Sequence, residues 1–190
     1  MQKLISTLLL LLIPTLSQAA NETYAIDPTH TYPNFTINHL GFSTMHGRFG
    51  KTSGTITMDR AQNKGSVDIL IDAESINTGM KKRDDHLRSP DFLNAMEFPS
   101  ITYQSNKVTF TQSGATVDGK LTIMGVSKAT QLTVDSINCG LHPMDPTKKK
   151  YVCGFNAIGK IKRSDFGVTY GIPAIGDEMT LSIEVEAVRQ

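Results

Sequence analysis

The chain has 190 residues, with 19 Lys and Arg against 18 Asp and Glu and a formal net charge of +1 at pH 7. This balance argues against nucleic acid or an anionic membrane surface as the main partner, because both attract strongly basic proteins. The length suits one domain with a substantial hydrophobic core.

The N-terminus has the pattern of a secretory signal peptide. Lys3 gives it a positive start, residues 4–16 are mostly apolar, and residues 17–19 (Ser-Gln-Ala) offer small side chains at the −3 and −1 positions of a cleavage site. The apolar run is too short to span a bilayer comfortably. We therefore expect a cleaved signal peptide in residues 1–19 and one mature domain in residues 20–190, in which 18 basic side chains balance 18 acidic ones.

Apolar and polar residues alternate with a period of two along the mature chain, which predicts β-strands. Turn sequences at residues 62–65, 113–114, 124–125 and 175–177 separate the runs. Strands joined by short turns form an antiparallel meander, and about eight of them close into a barrel without exposed edges. We predict an all-β, eight-stranded antiparallel barrel with one or two short helices, and a β-sandwich is the alternative.

The β pattern is interrupted by a polar segment, residues 83–93 (RDDHLRSPDFL), which we call the elbow. Residues 77–78 are predicted to cap a short helix that runs to about Arg88. Ser89-Pro90 has the pattern of an N-cap followed by proline at the first helical position, which predicts a second short helix.

The ionisable residues of the elbow allow two interpretations. Asp84, Asp85, His86 and Asp91 have the chemistry of metal ligands or acid/base groups. Asp84 and Arg88, however, form an i,i+4 pair that would face each other on a helix. The chain also has no H-E-x-x-H, no G-x-S-x-G and no glycine-rich phosphate loop. The residues favour a structural role, and metal or acid/base chemistry is the alternative.

Cys139 and Cys153 are the only cysteines of the sequence. An even pair in an exported protein indicates a disulfide. A metal site would need more ligands at matching spacing, and a catalytic redox pair usually has C-x-x-C spacing. We therefore predict a structural disulfide across the base of a hairpin, whose solvated loop carries the three lysines of residues 148–150.

Five segments in order along the chain resemble the motifs of the YceI-like family, the periplasmic polyisoprenoid-binding proteins. The elbow resembles the family signature R-D-x-H-L-x-S-x-D-F, and the segment 119–128 resembles its G-x-L-T-x-x-G-V-[ST]-K hairpin. The other three segments are residues 24–27 with His30, residues 39–43 with Gly47 and Phe49, and residues 161–167. The resemblance covers the mature chain from Tyr24 to about Val188.

The resemblance implies a lipocalin-like barrel that carries or stores one isoprenoid-tailed lipid, of the prenyl phosphate or quinone type, in the periplasm. It implies a binding protein rather than an enzyme, with no cofactor, no metal and no nucleic-acid partner. It leaves open transient contact with a membrane as the lipid source and pairing as a homodimer. In the elbow, Arg83, Asp84, His86, Arg88 and Asp91 would hold the helix in place.

With the family's apolar interior, the inward-facing residues of the predicted strands and four residues outside them become candidate ligand contacts. The strand candidates are Phe35, Ile37, Ile56, Val67, Ile69, Ile71, Ile101, Tyr103, Phe110, Leu121, Ile123, Phe155, Leu181 and Ile183. The candidates near the mouth are Phe42, Phe92, Leu93 and Phe166.

Two other functions remain open from the sequence. The same interior suits a scavenger of small hydrophobic or amphiphilic stress compounds. The third reading is an enzyme in which Asp84, His86 and Arg163 act on a lipid head group. Identification of the recovered ligands would distinguish a scavenger from a lipid carrier. A measurement of turnover would distinguish an enzyme from a binding protein.

Overall fold

The computed structural model describes residues 21–190, so the signal peptide expected in residues 1–19 lies outside the described residues. Eleven strands and one α-helix are found there, all strand pairings being antiparallel. In chain order they are β1 Glu22–Ile26, β2 Tyr32–His39, β3 Ser43–Phe49, β4 Thr52–Asp59, β5 Lys64–Asp72, β6 Ile76–Asn77, α1 Lys81–Arg88, β7 Ser100–Phe110, β8 Ala115–Ile123, β9 Val126–Leu141, β10 Tyr151–Lys162 and β11 Ile175–Arg189.

Eight of these strands close into a ring in the order β1-β4-β5-β7-β8-β9-β10-β11, and β11 returns to β1. The eight-stranded barrel predicted from the sequence is therefore confirmed. The long β11 is shared, because residues 187–189 pair with β1 while residues 175–184 pair with β2. The strands β2, β3 and β6 extend the wall beyond the ring at one end of the barrel.

The two ends of the barrel differ. We call the end that carries the elbow the elbow end; the β2–β3 turn, the β8–β9 turn and the start of β11 lie there. The opposite end, the far end, carries the β7–β8 turn and the β9–β10 loop. Cys139 and Cys153 are register partners near the far end and form a disulfide, as the sequence predicts.

Alternation along the strands sorts side chains between the inside and the outside of the barrel. On β5, Val67, Ile69 and Ile71 face inward, whereas Asp68 and Leu70 between them are exposed. The strands β1 and β3 and the two-residue β6 were not predicted. β3 (STMHGRF) has only Met45 and Phe49 as large apolar residues, so its alternation is weak, and long-range pairing with β2 forms it.

Two local predictions were wrong. Residues 175–177 do not form a turn but begin β11, at a register irregularity against β2, because long-range pairing to His39 outweighs the local Gly signal. Ser89-Pro90 opens a short turn rather than a second helix, since the Ser89 carbonyl accepts from the N–H groups of Phe92 and Asn94. In residues 21–190, no helix has both the length and the apolar character needed to cross a membrane.

Candidate ligand-binding cavity

The barrel encloses a cavity of about 440 Å³ lined almost entirely by apolar side chains. This volume lies within the range of small-molecule sites in proteins. The cavity runs from Phe110 and Ala115 near the far end to His86 and Tyr170 at the elbow end. It therefore extends along the barrel rather than forming a pocket on one side.

All the sequence-predicted contact residues except Phe42 lie on the wall of this cavity. Whether a ligand touches each of them stays a prediction. Phe42, which was expected to line or gate the mouth, does not line the cavity: it is 89% exposed, because it follows the tight β2–β3 turn. Phe92 and Phe166, the other aromatic residues outside the strands, are buried against the cavity.

The wall contains residues that sequence reasoning did not select. Several of them alternate in step with the predicted strands and could have been found from that signal: Val108, Val117, Leu132, Val134, Ile161 and Val185. Others lie on the unpredicted β3 or in loops, where no local pattern shows which way a side chain points; they include Met45, Phe49, Val168 and Tyr170.

Two large rings of the wall lie over glycines. A Cβ at Gly47 would overlap the ring of Phe35, its register partner on β2, and a Cβ at Gly119 would overlap the ring of Tyr103. The Tyr103 hydroxyl has two carbonyls within hydrogen-bond distance to which its one proton can be donated, Val117 (3.1 Å) and Thr130 (3.0 Å). Burial raises the pKa of the Tyr103 hydroxyl. The glycines thus let aromatic rings lie flat against the wall, which leaves the centre of the barrel open.

The elbow is held by hydrogen bonds different from those predicted. The buried carboxylate of Asp84 accepts from the N–H and the hydroxyl of Thr78, instead of pairing with Arg88. Arg83 donates to the Thr78 hydroxyl and carbonyl, both at 2.7 Å. The N-cap of α1 is Met80 without a side-chain cap, so Asp84 ties the preceding residues to the helix from within. The predicted cap at residues 77–78 and the i,i+4 pair were wrong.

Arg88 anchors the other side of the helix. Its guanidinium donates to the carbonyls of Glu74 (2.7 Å) and Ile76 (2.9 Å) and to the carboxylate of Asp85 (3.1 Å). These contacts bind α1 to β6 and to the short turn before it. Satisfying two carbonyls with one guanidinium fixes the position of the helix across the barrel end.

Three rings meet at the mouth of the cavity. The ring centroids of His86, Phe92 and Tyr170 are 5.0 to 5.2 Å apart. His86 Nε2 lies 2.8 Å from a carboxylate oxygen of Asp91, which keeps the imidazole in place. Aromatic pairs at this spacing and tilt are favourable. The elbow and the loop before β11 therefore meet through this aromatic cluster.

Arg163 organises the loop that carries Tyr170. Arg163 is 4% exposed. Its guanidinium donates to the carbonyls of Gly176 (2.8 Å), Val168 (3.1 Å) and Ile175 (3.1 Å). Burial lowers the pKa of Arg163, and the nearby carboxylate of Asp177 opposes this effect. The guanidinium is thus engaged by the backbone of its own loop.

The polar groups of the wall are largely saturated by the protein itself. Within residues 21–190, the hydroxyl of Thr52 is the one buried side-chain polar atom that has no hydrogen-bond partner. A ligand in the cavity therefore meets a surface that selects by length and width more than by hydrogen bonding.

One cluster of the described residues has the chemistry of a metal site, although the sequence predicts none. Ligand atoms of Asp27, His30 and Glu186 lie within 4.8 Å of one another on the outside of the barrel wall. The Asp27 carboxylate already accepts from Thr29 N–H (2.9 Å) and hydroxyl (2.6 Å) and contacts His30 Nδ1 (3.2 Å). The cluster stabilises the bend between β1 and β2.

The fold and the cavity define a class: an antiparallel β-barrel that encloses an apolar, ligand-sized interior. The YceI-like domain model matches residues 24–187, and the chain belongs to this family. Protein YceI of Salmonella arizonae is 37% identical over 187 residues, covering 97% of this chain and 95% of that protein. The family resemblance of the sequence is confirmed.

Solved structures share the fold. Burkholderia cenocepacia BcnA superposes with a TM-score of 0.73 at 23% identity, over 85% of this chain and 98% of that one. The Campylobacter jejuni YCEI protein has a TM-score of 0.68 at 31% identity, over 80% and 90%. A polyisoprenoid binding domain from Saccharophagus degradans, implicated in plant cell wall breakdown, has a TM-score of 0.62 at 19% identity, over 88% and 98%.

Proposed function

We propose that the protein binds one isoprenoid-tailed lipid, of the prenyl phosphate or quinone type, in the barrel cavity and carries or stores it in the periplasm. The observation that carries the proposal is the apolar cavity of about 440 Å³ running lengthwise through the barrel. A long, flexible apolar chain fits such a shape. The polyisoprenoid binding domain of similar fold from Saccharophagus degradans supports this ligand class.

The energetics favour a reversible carrier. Each methylene removed from water is worth about 0.8 kcal/mol, so a long prenyl tail in the cavity resists loss to water. The core of a bilayer is equally apolar, so the free energy of moving the lipid tail between bilayer and barrel is close to zero. Selection among lipids then comes from the length and width of the cavity and from the few polar groups at its mouth.

Export to the periplasm is supported by two independent features. The N-terminal pattern of residues 1–19 is that of a signal peptide. The disulfide between Cys139 and Cys153 suits an oxidising compartment.

The arrangement at the mouth supports binding rather than turnover. Asp84 is engaged by Thr78, Arg163 by three backbone carbonyls, and His86 by Asp91 and two aromatic rings. Each group of the enzymatic alternative thus serves to hold the elbow or its neighbouring loop. The scavenger alternative predicts small compounds instead of prenyl lipids in organic extracts of the protein.

The test compares two phenylalanine substitutions at adjacent positions on β10. Ala157 is buried on the cavity wall, whereas its neighbour Ile158 points outward and is 46% exposed. We expect Ala157→Phe to fill the middle of the cavity and lower the amount of polyprenol bound at least tenfold, while Ile158→Phe binds as the wild-type protein does.

Mass spectrometry of organic extracts measures both the ligand from the native host and the polyprenol taken up by the purified variants. Extracts of the wild-type protein are expected to contain a prenyl lipid in near-stoichiometric amount. Equal uptake by the Ala157→Phe and Ile158→Phe variants would contradict binding in the cavity.

A further inference from the structure

The cavity opens at the elbow end. Among the residues that line it, only His46, His86 and Tyr170 are exposed, and none of the lining residues near the far end is. His86 and Tyr170 belong to the aromatic cluster between the elbow and the loop before β11. A ligand therefore enters and leaves on this side.

The β2–β3 turn stands beside this opening. The N–H of Leu40 donates to the carbonyl of Ala174 at 2.9 Å, which joins the turn to the loop that carries Tyr170. Leu40 is 48% exposed, Phe42 89% and Tyr170 48%. We call these three residues the apolar rim. All three are large, exposed side chains in two segments that meet next to the mouth.

The backbone of the β2–β3 turn disfavours a large apolar residue at position 40. Leu40 and Gly41 both have positive φ angles, 58° and 74°, and Phe42 N–H donates to the His39 carbonyl. Two successive residues with positive φ favour Asn-Gly, because leucine is strained in the left-handed region. A large apolar residue in an unfavourable conformation, followed by an exposed Phe42, breaks the local rules of a solvated turn. Such departures mark functional sites.

The charge of the molecule restricts what could cover the rim. The expected mature chain has 18 basic and 18 acidic side chains, so its net charge favours neither an anionic nor a cationic partner. At the elbow, Asp85 pairs with Lys81, and Lys82 is a second exposed cation of the helix. A zwitterionic phospholipid bilayer fits the rim, because its interface carries no net charge and its hydrocarbon core accepts apolar side chains.

We propose that the apolar rim docks the elbow end on a lipid bilayer, so that the ligand passes between bilayer and cavity without crossing water. The inference rests on the proposed function for its purpose, but the docking itself does not require a particular ligand. Two or three partly inserted side chains bind more weakly than a myristoyl chain, whose attachment is already reversible. Weak docking suits a carrier that must leave again.

The test uses Phe42→Ser with Met144→Ser as its matched control. Phe42 does not line the cavity, and Met144 is equally exposed (85%) in the β9–β10 loop at the far end. The probe is a suspension of phosphatidylcholine vesicles that contain a polyprenol. We expect Phe42→Ser to slow extraction of the polyprenol at least fivefold, with no change in the amount bound when the polyprenol is supplied in detergent. Met144→Ser extracts at the wild-type rate.

Flotation with plain phosphatidylcholine vesicles separates docking from ligand binding. Because the docking is weak, we expect a larger fraction of the wild-type protein and of Met144→Ser than of Phe42→Ser to float with the vesicles, at low and high salt alike. If the wild-type protein floats but binds no polyprenol, the proposed ligand is wrong and the docking surface stands. If Phe42→Ser floats and extracts as the wild-type protein does, the docking proposal is overturned. It is also overturned if the substitution only converts a dimer to a monomer.

Discussion

Asp27 gathers hydrogen bonds at the bend between β1 and β2. Its carboxylate accepts from the hydroxyl and N–H of Thr29 and contacts His30 Nδ1, while its side chain is only 14% exposed. The pKa of Asp27 is lowered to about 2, mainly by the hydrogen bond from the Thr29 hydroxyl. The Thr29 N–H and His30 lower it further. The charged form is thus favoured in the folded protein.

We therefore expect Asp27 to contribute stability that is complete above pH 4 and lost as the pH falls through 2. A folded-state pKa below the unfolded value means that the unfolded chain takes up the proton first, which shifts the equilibrium toward unfolding. Asp27→Asn should lower the free energy of unfolding at pH 7 by on the order of 1 kcal/mol and flatten its fall between pH 4 and pH 2.

Denaturant unfolding at a series of pH values measures this effect. Asp135→Asn, at an exposed carboxylate on β9, is the control and should leave the profile as in the wild-type protein. A profile for Asp27→Asn as steep as that of the control between pH 4 and pH 2 would count against the role of Asp27.

At the scale of elements, the loop between residues 167 and 174 depends on one buried side chain. Arg163 supplies donors to the carbonyls of Val168, Ile175 and Gly176, and the Ser164 N–H and hydroxyl donate to the Asp177 carboxylate (2.9 and 2.8 Å). These bonds tie the loop to the end of β10 and to the start of β11. The loop in turn carries Tyr170 to the mouth.

We expect Arg163→Met to destabilise the protein by about 3 kcal/mol, because three carbonyls lose their donor in a buried place. Hydrogen exchange should show loss of protection concentrated in residues 167–176. Lys162→Met, at the exposed neighbouring position, should change stability by no more than about 0.5 kcal/mol. Protection in the loop equal to that of Lys162→Met would show that Arg163 does not hold it.

At the scale of the whole molecule, the open cavity leaves the barrel without side chains at its centre. Wall residues such as Val67 and Ile69 are only half-buried, because they face the cavity rather than other side chains. An apolar ligand completes this core. Because it binds the folded state alone, it stabilises the protein by mass action.

We expect loading with a polyprenol at a hundred times its dissociation constant to add about 2.7 kcal/mol to the free energy of unfolding. For a protein of this size that corresponds to a rise in Tm of roughly 5–10 °C. Calorimetry of delipidated and loaded protein measures the shift, and Ala157→Phe is the control that should show little of it. An unchanged Tm on loading would contradict a ligand inside the barrel.

Much of the fold could be predicted because its signals are local. The alternation on β5 and β10 follows from the geometry of a strand, in which successive side chains point to opposite faces. It identified the inward-facing Val67, Ile69 and Phe155 before any pairing was known. The pair Cys139 and Cys153 was predicted by the same kind of reasoning, from composition and compartment.

In the elbow, local sequence patterns predicted the helix but not the partners of its side chains. The partner of Asp84 is Thr78, which lies before the helix, rather than Arg88 one turn further on. Helical spacing shows which side chains of the helix could form a hydrogen bond or ion pair with each other. Which of these bonds form depends on the residues that pack against the helix from outside it. For the same reason, Phe42 was expected to line or gate the mouth, although the turn carries its side chain into solvent.

The sequence by itself determined a β-barrel with an apolar interior, a helical interruption and a disulfide, since period-two alternation, turn residues and paired cysteines each act over a few residues. Only the tertiary structure decided the strand order, the opening at the elbow end, the aromatic cluster at the mouth and the exposed rim beside it. Those features depend on pairings between distant segments, such as β11 with β2 and His86 with Tyr170. In the loops, side-chain direction follows from such contacts and leaves no periodic trace in the sequence.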